Sequence, residues 1–205
     1  FWRDVELKPF ELPLIGEFQA LNALAAAAIC LSLGMDVDAV MDGLSKLKPV
    51  KGRLELVGKT EAGAGVFVDY AHTPDGLDVL LRAVRPHTAG RLKVIFGCGG
   101  DRDAKKRPLM GEIATRQADD VIVTDDNPRS EDPDMIRHAI LETAPNAREI
   151  GDRGEAIRTI IAELKKGDTL VIAGKGHETG QIIGADIIPF SDQDTALDAL
   201  KGGAG

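Results

Sequence analysis

The sequence predicts an α/β fold in which a doubly wound, Rossmann-like, mostly parallel sheet follows a short helical region. Three observations support this. After Arg53, short apolar runs alternate with helical patterns, as parallel strands and their crossover helices do. Glycine and charged residues follow each main run directly. Before residue 53 the chain contains only two helical patterns and one short strand, which is too little for an independent domain.

The helical region begins with Ala-rich residues that run to about Leu33, where Gly34 suits a helix C-cap. Asp36 can cap a second helix over 37–47, because its carboxylate accepts hydrogen bonds from the first turn. Residues 48–53 then suggest a linker, and residues 1–11 resemble the end of another element.

The second region contains four predicted strands, a hairpin and five helices. Apolar runs place the strands at 66–70, 92–96, 120–124 and 169–173, with a hairpin over 182–190 around Gly184 and Ala185. The predicted helices between and after them are 74–84, 107–117, 133–143, 153–164 and 194–200.

Composition excludes several classes of function. The net charge is −8 and no run of Lys or Arg occurs, which argues against nucleic-acid binding or an anionic-membrane surface. Cys30 and Cys98 lie far apart with no Cys/His cluster, so we expect reduced thiols in a cytoplasmic protein. No secretory signal opens the sequence, and the apolar stretch 20–33 is shorter than the roughly 20 residues that span a bilayer.

Polar clusters follow the four strands, at the edge where doubly wound sheets bind ligands. They are residues 69–74, 97–103, 125–129 and 174–178. Arg129 offers a planar fork to a carboxylate, and the acids of the last two clusters can accept from an ammonium group, so a zwitterion would fit. Lys175 or His177 could contact phosphate.

Each cluster also has a purely structural explanation. Thr73 could simply cap the helix that begins at Pro74, and Gly97–Asp103 could be a tight turn beside a solvated basic face. The Asp125–Arg129 cluster could be a charged surface turn with Pro128 at its corner, and lone histidines are more often structural than catalytic. Neither G-x-G-x-x-G nor the phosphate loop G-x-x-x-x-G-K-[ST] occurs.

Ordered sequence blocks over about residues 14–200 resemble the Mur ligase family. The blocks are Gly16-Glu17-Phe18-Gln19-Ala20-Leu21-Asn22-Ala23-Leu24-Ala25, Gly52-Arg53, Asp69-Tyr70-Ala71-His72-Thr73-Pro74-Asp75, Phe96-Gly97-Cys98-Gly99-Gly100-Asp101-Arg102-Asp103, Lys106-Arg107-Pro108, Asp125-Asp126-Asn127-Pro128-Arg129 and Ala173-Gly174-Lys175-Gly176-His177-Glu178. Within the family, the block at 69–74 resembles the branch that adds the third residue of the peptide. The block at 126–129 resembles the members of that branch that add meso-diaminopimelate rather than lysine.

The resemblance implies an ATP- and Mg²⁺-dependent ligase of peptidoglycan precursor synthesis. In this reaction ATP phosphorylates the γ-carboxylate of D-glutamate in UDP-N-acetylmuramoyl-L-alanyl-D-glutamate, and an amine of meso-diaminopimelate attacks the acyl phosphate. The partners are therefore small molecules, with neither nucleic acid nor membrane insertion. We expect the activity to distinguish diaminopimelate from lysine through the extra carboxylate.

The resemblance also assigns site residues by position. Those for meso-diaminopimelate are Arg102, Asp126, Asn127, Arg129, Gly174 and Glu178. Asn127 and Arg129 would hold one carboxylate, and Glu178 with the carbonyl of Gly174 would hold an ammonium. The residues assigned to the nucleotide are Asn22, which would contact adenine, and Arg53, Asp69 and His72. Gln19 stands where related sequences often carry Asn, so no contact is assigned to it.

The family's phosphate loop, carbamylated lysine and magnesium ligands have no counterpart in this sequence. The resemblance therefore implies a helical remnant of the central ATP-binding domain over 1–52 and an amino-acid-binding ligase domain over 53–205, in a fragment inactive alone. Two alternatives remain. One is another Mur ligase or a folylpolyglutamate- or cyanophycin-type ligase, and the other is a stand-alone, non-catalytic amino-acid-binding module.

Overall fold

A computed structural model of the chain describes residues 11–202. It contains two compact units, Phe1–Pro49 and Val50–Gly205, which are described separately. Our expectations for residues 1–10 and for the assignment of residues 203–205 to a domain lie outside the described residues. The assignment of the two regions to particular domains of a longer ligase stays a prediction.

The first unit contains helices α1 (Glu17–Ser32) and α2 (Val37–Ser45). Gly34 follows α1 with a φ of 85°, a left-handed conformation that glycine adopts without steric cost. The Asp36 carboxylate accepts from the backbone N–H of Ala39 at 3.0 Å, so the expected cap on α2 is present. Residues 11–49 contain no strand, and the short strand expected before residue 53 is not tested where it would fall in residues 1–10.

The second unit is built on a six-stranded sheet with the order β1-β2-β6-β3-β4-β5. Its strands are β1 (Glu55–Lys59), β2 (Gly65–Asp69), β3 (Leu92–Phe96), β4 (Asp120–Val123), β5 (Arg148–Glu149) and β6 (Thr169–Ala173). Strand β1 is antiparallel to β2, and all the other pairs are parallel. The expected mostly parallel α/β fold is confirmed.

Besides a 3₁₀ turn at Arg85–His87, five α-helices and a hairpin complete the described part of the second unit. They are α3 (Pro74–Val84), α4 (Lys106–Gln117), α5 (Pro133–Leu141), α6 (Arg153–Ala162), the hairpin strands β7 (Gly180–Ile183) and β8 (Asp186–Pro189), and α7 (Asp192–Gly202). The hairpin turn is Gly184-Ala185, as expected. None of the helices in residues 11–202 is both long and apolar enough to cross a membrane.

Side chains of the central strands are buried on both faces of the sheet. Val68, Ile95 and Ile172 pack with Ile157 of α6 in one cluster, and each of the four is fully buried. Successive strand residues point to opposite faces, so the buried neighbours of these residues belong to the other face. Burying one such side chain contributes about 1.5–3 kcal/mol, which explains why short, continuous apolar strands suffice.

The carboxyl ends of four neighbouring strands meet at one edge. Asp69 ends β2, Gly174 follows β6, Cys98 lies two residues after β3, and Asp126 lies three residues after β4. Because β2, β6, β3 and β4 are adjacent and parallel, their connecting loops form a contiguous surface, which we call the carboxyl edge. The expected convergence of the polar clusters is confirmed.

Candidate functional site

A buried hydrogen-bonded cluster joins the loops that follow β4 and β6. The ammonium of Lys175 donates to Asn127 Oδ1 and to Glu178 Oε2, each at 3.0 Å. Asn127 Nδ2 donates to the same Glu178 oxygen at 3.0 Å. Lys175 has no exposed surface, whereas the Glu178 side chain is 34% exposed. Glu178 therefore presents a carboxylate to solvent while its inner oxygen is held by two donors.

The surroundings keep Glu178 ionised. Burial would raise the pKa of its carboxyl, but hydrogen bonds from Asn127 and Lys175 and the charges of Lys175 and Arg129 lower it to a net value below the ordinary one. Both hydrogen bonds fall on Oε2, and within residues 11–202 no donor contacts Oε1. That oxygen is suited to accept from a ligand's ammonium group.

Asp126 and Gly174 lie next to each other beside this cluster. A Cβ on Gly174 would lie 2.8 Å from Asp126 Oδ2, and the φ of Gly174 is 118°. The Asp126 side chain is nearly buried, and Gln181 of the hairpin donates to its backbone carbonyl at 2.7 Å. The pair places a second carboxylate and a backbone turn at the base of the edge.

The backbone of Arg129 is fixed by the hairpin. Its N–H donates to the carbonyl of Ile182 at 3.0 Å, and its carbonyl accepts from Gly184 N–H at 2.7 Å. Its φ of 53° lies in the left-handed region, which costs a non-glycine residue energy and therefore needs such support. The guanidinium donates to the carbonyl of Gly100 at 2.8 Å, which leaves other N–H groups for a ligand.

The loop after β3 approaches the Arg129 loop closely through glycine. Gly100 N–H donates to the carbonyl of Asn127 at 2.9 Å, and a Cβ on Gly100 would lie 2.0 Å from the carbonyl oxygen of Pro128. A Cβ on Gly99 would meet both Arg129, at 2.8 Å, and Arg102, at 3.9 Å. The two arginines expected to bind the amino acid therefore flank one glycine, and Arg102 is exposed.

Cys98 faces the interior beneath this loop. Its thiol lies 3.7 Å from the sulfur of Met110 and the residue is 2% exposed. Burial raises the pKa of the thiol to about 12, so it stays protonated at neutral pH. Cys98 therefore contributes packing to this loop.

A buried ion pair supports the carboxyl edge from below. Arg153 of α6 pairs with Asp192 of α7 at 2.7 Å, and neither side chain has exposed surface. The same guanidinium donates to the carbonyl of Ala173 at 2.9 Å, at the end of β6. Desolvation would lower the pKa of Arg153, but the charge and hydrogen bonds of Asp192, with weaker contributions from Asp126 and Glu178, raise it.

The residues assigned to the nucleotide lie partly around Tyr70, at the end of β2. The guanidinium of Arg53 lies 4.7 Å from the centre of the Tyr70 ring, and the rings of His72 and Tyr70 are 4.6 Å apart. Arg53 and His72 are exposed, which leaves both available to an anionic ligand.

Asp69 is engaged by the fold itself. One carboxylate oxygen accepts from Leu54 N–H and the other from Ala71 N–H, each at 2.7 Å. Burial raises the pKa of this carboxyl despite those hydrogen bonds. Its contact with a nucleotide stays a prediction, and its observed contacts join β1 to the end of β2. Asn22 is an exposed residue of α1 in the first unit, and its adenine contact also stays a prediction.

Sequence reasoning missed the role of one charged residue of the site and two charged residues altogether. Lys175 or His177 was expected to be able to contact phosphate. The Lys175 ammonium is fully buried and occupied by Asn127 and Glu178, so of the two only the exposed His177 remains available. Arg153 and Asp192 were not expected at all. Lysine is rarely buried and the ion pair spans 39 residues, so no local pattern indicates either feature. Only the two glycines around Lys175 indicated unusual backbone there.

The described residues do not form a complete metal site by themselves. No group of three or more His, Cys, Asp or Glu side chains in residues 11–202 could hold a metal ion. Arg53 fits the phosphate of a nucleotide, because its guanidinium lies above Tyr70 and is exposed, so its N–H groups can reach an anion. No reaction step through Mg²⁺ is assigned to these residues.

Comparisons with known proteins identify the family. The family model for the Mur ligase, glutamate ligase domain, matches residues 52–176. The UDP-N-acetylmuramoyl-L-alanyl-D-glutamate--2,6-diaminopimelate ligase of Chelativorans sp. (strain BNC1) is 60% identical over 190 residues, which are 93% of this chain and 39% of that relative. The chain thus spans about two fifths of the length of the curated relatives it matches.

Solved structures of two kinds of ligase are similar to the chain. A structure of UDP-N-acetylmuramoyl-L-alanyl-D-glutamate--2,6-diaminopimelate ligase matches with a TM-score of 0.74 and 38% identity, over 96% of this chain and 41% of that one. Folylpolyglutamate synthase of Mycobacterium tuberculosis, complexed with ADP and AMPPCP, matches with a TM-score of 0.61 and 27% identity, over 80% of this chain and 39% of that one.

Proposed function

Because the chain belongs to the Mur ligase family, we propose that its second unit binds the amino acid that an ATP-dependent ligase adds to a peptidoglycan precursor. The amino acid is meso-diaminopimelate, and the acceptor is UDP-N-acetylmuramoyl-L-alanyl-D-glutamate. ATP activates the acceptor as an acyl phosphate, and an amine of the amino acid then forms the amide. We place this reaction in the cytoplasm, where ATP and UDP-linked precursors are available.

One observation supports the proposal most strongly: the loops after β4 and β6, which are hydrogen-bonded to each other, carry side chains of opposite charge. Glu178 presents an ionised carboxylate. Arg129 presents a guanidinium that donates to Gly100, and the hairpin holds the Arg129 backbone. Asn127 lies between them, with its Nδ2 bound to Glu178 and its carbonyl bound to Gly100 N–H. An amino acid with both ammonium and carboxylate groups matches this arrangement.

The free hydrogen-bonding capacity gives each residue a specific role. Asn127 Oδ1 already accepts from Lys175 and from Ile182 N–H, so Asn127 can offer a ligand only its second Nδ2 hydrogen. A donor beside Arg129 suits a carboxylate. Glu178 Oε1 and the carbonyl of Gly174 suit an ammonium. Arg102 adds a second cation beside Gly99, and Asp126 adds a second anion beside Gly174.

The extra carboxylate of meso-diaminopimelate is the feature that lysine lacks. A site that provides Arg129, Asn127 and Arg102 for carboxylates leaves some of these donors without partners when lysine binds. Unpaired polar groups in a site cost affinity, and such sites can reject an analogue by several powers of ten. Nucleotide binding is assigned to Asn22, Arg53, Asp69 and His72, whose contact with ATP is part of the proposal.

Calorimetric titration of the chain with meso-diaminopimelate, L-lysine and L-glutamate tests the proposal. We expect meso-diaminopimelate to bind and lysine to bind at least about 30-fold more weakly. Glutamate is the ligand that a folylpolyglutamate-type ligase would select. Preference for glutamate would favour that alternative, and equal affinity for all three amino acids, or no binding of meso-diaminopimelate by folded chain, would refute the assignment.

A further inference from the structure

We propose that Lys175 is a positioning residue, which holds Glu178 and Asn127 in the geometry that binds the amino acid. Its side chain has no exposed surface and therefore cannot contact a ligand in this arrangement. The proposal rests on the proposed function, because it concerns the same amino-acid site. It adds a residue for which neither the ligand nor the nucleotide assignment has a role.

The environment of Lys175 shows why an ammonium is needed there. A buried charge is costly unless it is paired and hydrogen-bonded, and both partners of Lys175 are site residues. Its Nζ lies 3.0 Å from Asn127 Oδ1 and 3.0 Å from Glu178 Oε2. The pairing therefore joins the loop after β4 to the loop after β6 at the point where the ligand's ammonium would bind.

Lys175 also fixes the orientation of the Asn127 amide. An ammonium only donates, so it requires the oxygen of the amide, and Ile182 N–H requires the same oxygen at 2.9 Å. Nδ2 is consequently directed to Glu178 and keeps one hydrogen for a ligand. Without Lys175, only the Ile182 N–H would hold Oδ1 of Asn127 in its present position, and the amide could rotate more easily.

The backbone on both sides holds Lys175 inward. Gly174 and Gly176 have φ values of 118° and 53°, which other residues rarely adopt. A Cβ on Gly176 would lie 2.7 Å from the Cβ of Tyr70, and a Cβ on Gly52 would lie 2.3 Å from the backbone nitrogen of His177. The close approach of three segments leaves this loop little room to reorient the lysine.

The charged groups around Glu178 predict the consequence of removing Lys175. The charge of Arg129, in the loop after β4, acts on Glu178. Arg153 of α6 lies below Glu178, and the charges of Glu178 and Asp126 both act on the Arg153 guanidinium. Lys175 is the only cation among the described residues that donates to the carboxylate. Without it, burial would raise the pKa of Glu178, so the ionised form would be lost at a higher pH than in the wild type.

The test is a double-mutant cycle with Lys175→Met and Glu178→Gln, read by calorimetric affinity for meso-diaminopimelate. We expect Lys175→Met to weaken binding about tenfold or more in the wild-type background. In the Glu178→Gln background the loss of affinity should be at least about threefold smaller, because Lys175 then acts only through the Asn127 amide. A structural role would give equal factors in both backgrounds and would overturn the proposal.

The pH dependence gives a second readout. Affinity of the wild type should be nearly constant between about pH 7.5 and about pH 5.5, because the Glu178 carboxylate stays ionised. Affinity of Lys175→Met should fall further as pH decreases over this interval, since its Glu178 pKa is raised. Identical profiles for the two proteins would contradict the proposed action through Glu178.

Controls separate this proposal from the proposed function. Lys166→Met removes an exposed lysine before β6, at the opposite edge of the sheet, and should leave affinity unchanged. Lack of binding by the wild type would refute the proposed function itself. If Lys175→Met fails to fold, the Lys175→Met/Glu178→Gln variant tests the proposal instead, because it contains no unpaired buried charge. A double variant that is unfolded, or that binds much more weakly than Glu178→Gln, makes Lys175 structural.

Discussion

Two parts of the carboxyl edge carry similar residue types but use them differently. In the loop after β2, both oxygens of Asp69 accept from backbone N–H groups, and Thr73 caps α3. In the loops after β4 and β6, Glu178 keeps one oxygen without a donor among the described residues, and Arg129 keeps unused N–H groups. Polar residues at a strand end therefore indicate a ligand site only where hydrogen-bonding capacity remains unused.

The largest expected effect concerns the support below the amino-acid loops. Arg153→Met would leave Asp192 buried without its cation and Ala173 without a donor. Removing one partner of a buried pair costs about 3–5 kcal/mol, so the free energy of unfolding should fall by that amount in urea denaturation. Arg148→Met is the matched control, because its pair with Glu163 is exposed and contributes below about 1 kcal/mol. Equal losses for the two variants would contradict the role of Arg153.

The next effect concerns specificity. Arg129→Ala should weaken meso-diaminopimelate binding about 30-fold, or about 2 kcal/mol, while lysine affinity hardly changes. Arg129→Lys should recover only part of the loss, since an ammonium lacks the planar two-bond contact. Titration of both amino acids checks this. Because the guanidinium also donates to Gly100, equal losses for both ligands would show that Arg129 holds the loops together and does not discriminate.

Asp69 provides the opposite test in the loop after β2. Asp69→Asn replaces one acceptor oxygen with an NH₂ group, which would face the N–H of Leu54 or Ala71. We expect the free energy of unfolding to fall by about 1–2 kcal/mol, with affinity for meso-diaminopimelate within about twofold of the wild type. Thermal denaturation and calorimetry measure the two quantities. A large loss of amino-acid affinity at unchanged stability would show that the two parts of the edge are not separate in function.

The smallest effect concerns the helix cap in the same loop. Thr73 accepts from Gly76 N–H at 3.2 Å, so Thr73→Ala should lower the free energy of unfolding by about 1 kcal/mol. Thr73→Ser keeps the hydroxyl and should be nearly neutral. Neither change should alter binding of meso-diaminopimelate. If Thr73→Ala is as stable as the serine variant, the hydroxyl does not stabilise α3.

The strands that sequence reasoning predicted are those with continuous apolar runs. Strands β3 and β6 are buried on both faces and end at glycine, so their bounds were predicted to the residue. Strand β1 was missed because it is a half-exposed edge strand with an irregular register between Leu56 and Gly58. Strand β5 was missed because it is two exposed residues, Arg148 and Glu149, defined only by backbone pairing.

The sequence predicted the position of the site but not its pattern of hydrogen bonds. Parallel topology alone brings Asp126 and Gly174 to one edge, and the structure confirms this. The exchange of hydrogen bonds between Asn127, Lys175 and Glu178 depends on side-chain directions that residue types do not specify. Two polar residues at neighbouring strand ends can hydrogen-bond to each other or to a ligand. Only the structure shows which donors and acceptors are left for a ligand.

The reactivity of the buried Cys98 thiol could also be used to measure local opening of the loop that covers it. Burial raises the pKa of the Cys98 thiol to about 12, so it is protonated at neutral pH, and reagents cannot reach it while the Gly97–Arg102 loop covers it. The rate of Cys98 alkylation would therefore measure how often that loop opens. A ligand that binds both Arg129 and the loop should lower this rate. Covalent inhibitors aimed at this cysteine would have to wait for the same opening, whereas Cys30, which is half-buried in the first unit, would react without it.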